Sequence, residues 1–279
     1  IILGSGSDEV LLFVALAFCQ DGDEILHANH GFEMYSIVSK VVGAVPKKIK
    51  EDVNFNLNIE NLIDQTNDAT KVIYIASPNN PTGTYLSRDQ LVKLMNSISK
   101  NIIVVIDGAY VEYVQKDDYD KGFSLTDEYE NIILTRTFSK TYGLAALRVG
   151  WCYTSQKIAD IINKIKPPFN TTTISQSLAI KALEDKEHIE NSVKLNSEIK
   201  DWFEKELKLL NIKTRQTEGN FTLIETSEEE AEKISNHLMN DGIIIRRLNS
   251  YNLPNFLRIS IGTKEEMNLT VESLKKFNV

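Results

Sequence analysis

Short apolar runs recur along the first half of the chain and alternate with segments whose apolar positions are spaced for a helix. The runs predict strands over 24–26, 45–49, 71–76, 102–106, 132–135 and 149–153. Between them, Ser7-Asp8-Glu9 reads as the cap of a first helix, and further helices are predicted over 35–42, 58–66 and, after the cap Ser87, 88–100. Strands alternating with helices predict a mostly parallel sheet in α/β layers.

The pattern changes after about residue 166, where Pro167-Pro168 punctuates it. One long helical stretch is predicted over 174–210. Beyond it lie strands over 220–225, 242–247 and 256–261 and helices over 228–240 and 264–277. This reads as a large α/β domain over 1–170, a helical connection over 171–210 and a small C-terminal α+β domain over 211–279.

Composition adds bounds. The 279 residues are 42% hydrophobic and 25% charged, an ordinary globular balance with enough apolar content for a core. Thirteen Gly and six Pro exclude collagen. Lys plus Arg is 31 and Asp plus Glu is 39, so the net charge of −8 argues against broad binding to nucleic acid or anionic membranes. It leaves room for a local basic pocket. Cys19 and Cys152 are too few for a disulfide framework and sit in apolar surroundings, which fits a reducing, cytoplasmic setting. No run reaches the length of a membrane span, and the first residues carry no signal-peptide pattern. Ile1-Ile2-Leu3 opens without Met directly before a turn, so upstream residues are expected to be missing from the chain. The histidines His27, His30, His188 and His237 show no metal-ligand spacing.

The residues with chemistry gather at strand ends, where ligands collect in open α/β sheets. Asp107 ends the strongest apolar strand, and Tyr110 lies three residues on. Lys140 follows another strand, and Arg148 comes eight residues later. Asn80 closes the turn after the strand over 71–76. A lysine amine, an acid for a pyridine nitrogen and donors for a phosphate are what pyridoxal phosphate chemistry requires. The turn Gly6-Ser7-Asp8 at a helix start offers free N–H groups for that phosphate, and Ser139 and Arg148 add donors.

The joint pattern Asn79-Asn80-Pro81-Thr82-Gly83, Asp107-Gly108-Ala109-Tyr110, Ser139-Lys140 and 143–150 resembles the aspartate-aminotransferase superfamily, fold type I of the pyridoxal-phosphate enzymes. Within it the chain looks most like the histidinol-phosphate aminotransferases. The resemblance implies a three-layer α/β/α large domain and the small α+β domain. It assigns Lys140 as the Schiff-base lysine and proton shuttle. By the same resemblance Asp107 would face the pyridine nitrogen, and Asn80 and Tyr110 would face the ring oxygen. Ser7, Asp8, Thr137, Ser139 and Arg148 surround the phosphate, and Phe32 matches the aromatic stacked on the ring. Arg258 matches the clamp for the donor's α-carboxylate. Arg246 matches a substrate-side arginine for the phosphate of histidinol phosphate, with Arg247 as competitor; Asn220-Phe221 matches a small-domain strand motif near the site.

The implied reaction is a ping-pong transamination between L-glutamate and imidazole-acetol phosphate, by a homodimer with small-molecule substrates and no nucleic-acid or membrane partner. Alternatives within the superfamily are an aminotransferase or phosphothreonine-type decarboxylase acting on another phosphorylated amine, or an aromatic amino-acid aminotransferase. A non-catalytic regulatory module on the same fold is disfavoured by the joint presence of Lys140, Asp107 and Asn80. The chain departs from the family pattern at Gly108, often Glu, and at Phe32, commonly Tyr. The N-terminal region that, in the family, covers the substrate and reaches across a dimer interface is expected to be missing from the given sequence.

Overall fold

The computed structural model of the chain describes residues 1–277; the last two residues of the expected C-terminal domain lie outside them. Seven strands form the larger sheet: β1 (Ile2–Gly4), β2 (Glu24–Ala28), β3 (Val45–Ile49), β4 (Thr70–Ala76), β5 (Ile103–Asp107), β6 (Ile132–Thr137) and β7 (Gly150–Thr154). Their order is β1-β7-β6-β5-β4-β2-β3. The run from β3 to β6 is parallel, and β7 lies antiparallel between β6 and β1.

Helices α1 (Ser7–Phe18), α2 (Met34–Val41), α3 (Ile59–Asp64), α4 (Arg88–Ser97) and α5 (Phe123–Glu128) connect these strands, and α6 (Gln156–Ile165) follows β7. The period-two pleat decides which core each strand residue enters. Val72, Tyr74 and Val105 pack with Val10, Leu11 and Val14 of α1. Ile73, Ile75, Val104 and Ile106 point the other way, onto Leu91 and Leu94 of α4. Both faces are covered, which gives three layers and explains the continuous apolar runs.

Helices α7 (Thr173–Glu184) and α8 (Lys186–Leu209) lead to a second sheet. Its strands are β8 (Lys213–Arg215), β9 (Phe221–Glu225), β10 (Arg246–Leu248) and β11 (Leu253–Ser260), all antiparallel in the order β10-β11-β9-β8. Helices α9 (Glu228–Asn240) and α10 (Lys264–Phe277) pack on it through Ile234, Leu238, Met267, Val271 and Leu274. The architecture is the expected α/β domain with a smaller C-terminal α+β domain.

Several elements differ from the sequence expectation, among them helices α5 and α6, which the apolar pattern did not predict. The helix over 174–210 is two helices, because Asp185 leaves helical geometry (φ −85, ψ 71) and its side chain caps α8 at the His188 N–H, 3.0 Å away. The strand over 242–247 contributes only Arg246 and Arg247 to β10. Gly242 turns at φ 81, and the N–H groups of Gly242 and Ile243 bond back to Met239 and Leu238 of α9, which keeps this segment off the sheet. The short polar strand β8, without an apolar run to mark it, was not expected. Among the described residues no helix is long and apolar enough to cross a membrane.

Candidate active site

The carboxyl ends of β4, β5 and β6 open into a cavity of about 230 Å³. Asp107 ends β5 and is 4% exposed. Register sets Thr135 of β6 beside it, and the Thr135 hydroxyl donates to Oδ1 at 2.8 Å. The Tyr35 hydroxyl, from α2, donates to Oδ2 at 2.9 Å. Tyr35 is fixed in turn by stacking on Tyr74 (5.0 Å, 5°). Burial pushes the Asp107 carboxyl upward; the Thr135 and Tyr35 hydroxyls pull it back, Asp8 raises it and Arg136 lowers it. The result is a desolvated carboxylate held in one orientation and ready to answer a cationic N–H.

Lys140 lies three residues past the end of β6 and lines the same cavity. Its ammonium stands 5.4 Å from the centroid of the buried Tyr110 ring. Among the described residues it forms no hydrogen bond or ion pair. Desolvation, then the charges of Arg258 and Arg148, hold it below the usual lysine range, while Asp8 and Asp107 oppose them. The lowering favours the neutral amine, the form that acts as a nucleophile. Asn80 lines the wall, and its side-chain oxygen accepts from Arg258 of β11.

The opposite end is built for an anion. Gly6 takes φ +85 before α1, and Ser7 and Asp8, the first helical residues, whose N–H groups have no partner within the helix, line the cavity. A Cβ on Gly6 would stand 2.4 Å from the Arg148 guanidinium. Arg148 also reaches Ser139 Oγ and Asp8 Oδ2, each at 3.4 Å, and the Ser139 N–H donates to Thr137 Oγ1 at 3.1 Å. Behind this cradle Glu9 accepts from the Ser5 N–H and the Asn170 amide, both at 2.7 Å.

The remaining expected residues sort by distance from the cavity. Phe32 lines it, edge-on to Tyr35 at 5.8 Å. Arg258 stands at its rim, bonded to Asn80 and lying 5.1 Å from the centroid of Phe221. Arg246 is further out, opposite Arg258 in the β10–β11 register and 3.5 Å from Glu33. Arg247 faces away, toward Glu232 at 3.7 Å. Gly108 is explained by space: a Cβ there would lie 2.3 Å from buried Arg136, whose guanidinium instead donates to the carbonyls of Thr135 and Lys121. Sequence reasoning missed Tyr35 and Thr135. Among the described residues no group of three or more His, Cys, Asp or Glu side chains is arranged to hold a metal ion.

The family model described as aminotransferase class I and II matches residues 1–274. The histidinol-phosphate aminotransferase of Pelagibacter ubique is 40% identical over 282 residues, spanning all of this chain and 78% of that protein. That of Dinoroseobacter shibae is 37% identical over 278 residues, spanning 99% of this chain and 76% of that protein. Among solved structures, histidinol-phosphate aminotransferase from Sinorhizobium meliloti in complex with pyridoxal-5'-phosphate superposes with a TM-score of 0.91 at 24% identity, covering 99% of this chain and 76% of that one. An aromatic aminotransferase from Pyrococcus horikoshii gives 0.86 at 22% identity, covering 99% and 78%. These last two likenesses speak to fold.

Proposed function

Because this chain belongs to the class I and II aminotransferases, and within them to the histidinol-phosphate aminotransferases, we propose that it uses pyridoxal phosphate to exchange an amino group between L-glutamate/2-oxoglutarate and histidinol phosphate/imidazole-acetol phosphate. The observation that carries the cofactor reading is the two-ended cavity. Lys140 and the buried, doubly hydrogen-bonded Asp107 line it together with an anion cradle made of Ser7, Asp8, Thr137, Ser139 and Arg148. These groups fit the three polar ends of that molecule: aldehyde, ring nitrogen and phosphate.

When bound, the cofactor supplies an electron sink for the substrate's α-carbon. The chain's own residues do the rest. Asp107 keeps a ring N–H protonated by its charge, in a site where water does not screen it. Lys140 Nζ would take the proton from the α-carbon and return it to the carbon on the far side of the amino nitrogen, a 1,3-transfer. Asn80 and Tyr110 would hold the ring oxygen, and Phe32 would pack on the ring. Arg258 clamps the α-carboxylate with its fork of donors. Arg246, displaced from Glu33, meets the substrate's phosphate.

We read the domains as 1–170 and 211–279 joined by 171–210, and the working unit as a homodimer. Support for the latter is the exposed apolar surface of Phe169, Ile174 and Leu178, which are 98%, 68% and 44% accessible. The test of function is spectroscopic and kinetic. Cofactor-saturated protein is expected to show the visible absorption of a lysine-bound pyridoxal ring, lost in Lys140→Ala. Histidinol phosphate is expected to outpace phenylalanine and phosphothreonine as amino donor to 2-oxoglutarate. Lack of turnover with histidinol phosphate overturns the substrate assignment.

A further inference from the structure

We infer that Phe55 is a positioning residue for Arg258, a knob from the larger domain that fixes where the small domain holds its carboxylate clamp. The inference rests on the reading of Arg258 given above. Phe55 has φ +64, a left-handed conformation that a bulky aromatic residue adopts only when its surroundings impose it. The imposing groups are visible. Asp52 Oδ1 accepts from the N–H groups of Asn54 and Asn56 at 2.8 and 2.9 Å, and the Phe55 N–H bonds the Asp52 carbonyl at 3.0 Å. Thr84 Oγ1 donates to the Phe55 carbonyl at 3.0 Å. The loop is thereby bent so that the ring leaves the larger domain.

The ring enters the small domain's cluster of Leu223, Leu248, Tyr251, Leu253 and Phe256. It meets Phe256 edge-on at 5.3 Å and His30 at 5.5 Å. Phe256 and Arg258 are two apart on β11 and share one face of the strand. A closed circuit results. Phe55 touches Phe256, Arg258 bonds Asn80, the neighbouring Asn79 amide bonds the His30 carbonyl at 3.1 Å, and His30 packs on Phe55. Such a circuit leaves Arg258 two supports across the domain gap, Asn80 at its head and Phe55 beneath its strand. Removing the second support lets β11 settle differently and degrades the clamp geometry, while Lys140, Asp107 and the anion cradle are untouched.

The test is a half-reaction. L-Glutamate is titrated against cofactor-loaded protein, and the change in visible absorption gives an apparent dissociation constant and a limiting rate. Phe55→Ala is expected to weaken glutamate about tenfold, with the limiting rate within about threefold and the cofactor spectrum retained. Phe55→Tyr restores binding, since the ring is kept. In an Arg258→Gln background, Phe55→Ala has no further effect on glutamate, because the two residues act on one interaction. Unchanged glutamate affinity in folded, cofactor-loaded Phe55→Ala overturns the inference, as does full additivity with Arg258→Gln. If Arg258→Gln alone leaves glutamate binding intact, the reading of Arg258 has failed instead. Loss of the cofactor spectrum in both Phe55→Ala and Phe55→Tyr assigns the residue to folding and also overturns the inference.

Discussion

The hydroxyl of Tyr35 donates to Oδ2 of Asp107 at 2.9 Å, joining residues 72 positions apart at the floor of the cavity. Tyr35→Phe keeps the stacking on Tyr74 and deletes only the donor. A buried charged acceptor that loses a hydrogen bond costs roughly 1–3 kcal/mol. The carboxyl, already raised by burial, loses one of the two hydroxyls that pull it down and is ionised less readily. Urea unfolding is expected to show lower stability by that amount. Titration with pyridoxal phosphate is expected to show weaker binding, because less negative charge answers the ring N–H. Unchanged values in both would mean that Thr135 alone suffices.

Lys140 gives a pH dependence with a definite sign. Its folded pKa lies below the ordinary 10.5, through desolvation and the Arg258 charge. Between the folded value and 10.5 the unfolded chain holds a proton that the folded chain does not. Cofactor-free protein therefore gains stability as pH rises through that window and carries a deficit below it. Lys140→Met removes the deficit, so the cofactor-free variant is expected to be more stable than the parent at neutral pH, the gap closing as pH approaches 10.5. Chemical unfolding of the two proteins across that range checks it; a parallel pair of curves would refute it.

His27 carries the same sign at lower pH. It is 2% exposed, and burial lowers its pKa to about 4, with the Ala28 carbonyl opposing. Its Nδ1 lies 2.8 Å from that carbonyl and its Nε2 lies 3.0 Å from Ser36 Oγ, an arrangement that suits the neutral ring. As pH falls below 6.5, the unfolded chain takes a proton that the folded chain refuses until about 4. Stability is lost across that window, by about 3 kcal/mol in all. His27→Gln is expected to flatten this part of the stability profile. A profile that keeps its slope in the variant would move the effect to another group.

What was legible in the sequence was local. Asp107, Tyr110, Asn80 and Lys140 follow strand ends within a few residues, so order along the chain already predicts convergence. All ten residues expected around the cofactor line one cavity. Tyr35 was hidden because its apolar ring suits the buried face of α2, and only its hydroxyl, meeting a strand 72 residues later, has a polar task. Thr135 was hidden in the same way inside an apolar strand. The break at Asp185 depends on one side chain choosing to cap a helix rather than continue one. Strand β8 exists through pairing with β9, a tertiary fact with no local signature.

The anion cradle depends on a contact between two backbones. Gly150 opens β7 where that strand passes the start of α1, and a Cβ there would lie 2.4 Å from the Ser7 nitrogen and 2.6 Å from the Gly6 carbonyl carbon. Neither atom belongs to a flexible side chain, so Gly150→Ala must displace the turn itself. The register of β1 with β7, Gly4 opposite Gly150, leaves the displacement little freedom to spread toward the sheet. The first N–H groups of α1 then no longer converge with Arg148. Overpacking of this kind costs about 1–3 kcal/mol in stability. The larger consequence falls on the phosphate. Pyridoxal phosphate is expected to bind Gly150→Ala at least about tenfold more weakly, since one misplaced charge-assisted hydrogen bond is worth roughly 1.5–3 kcal/mol. Pyridoxal without the phosphate, which never used the cradle, is expected to bind the variant and the parent alike. Equal losses for the two molecules would show that the substitution had damaged the Lys140 end of the cavity rather than the cradle.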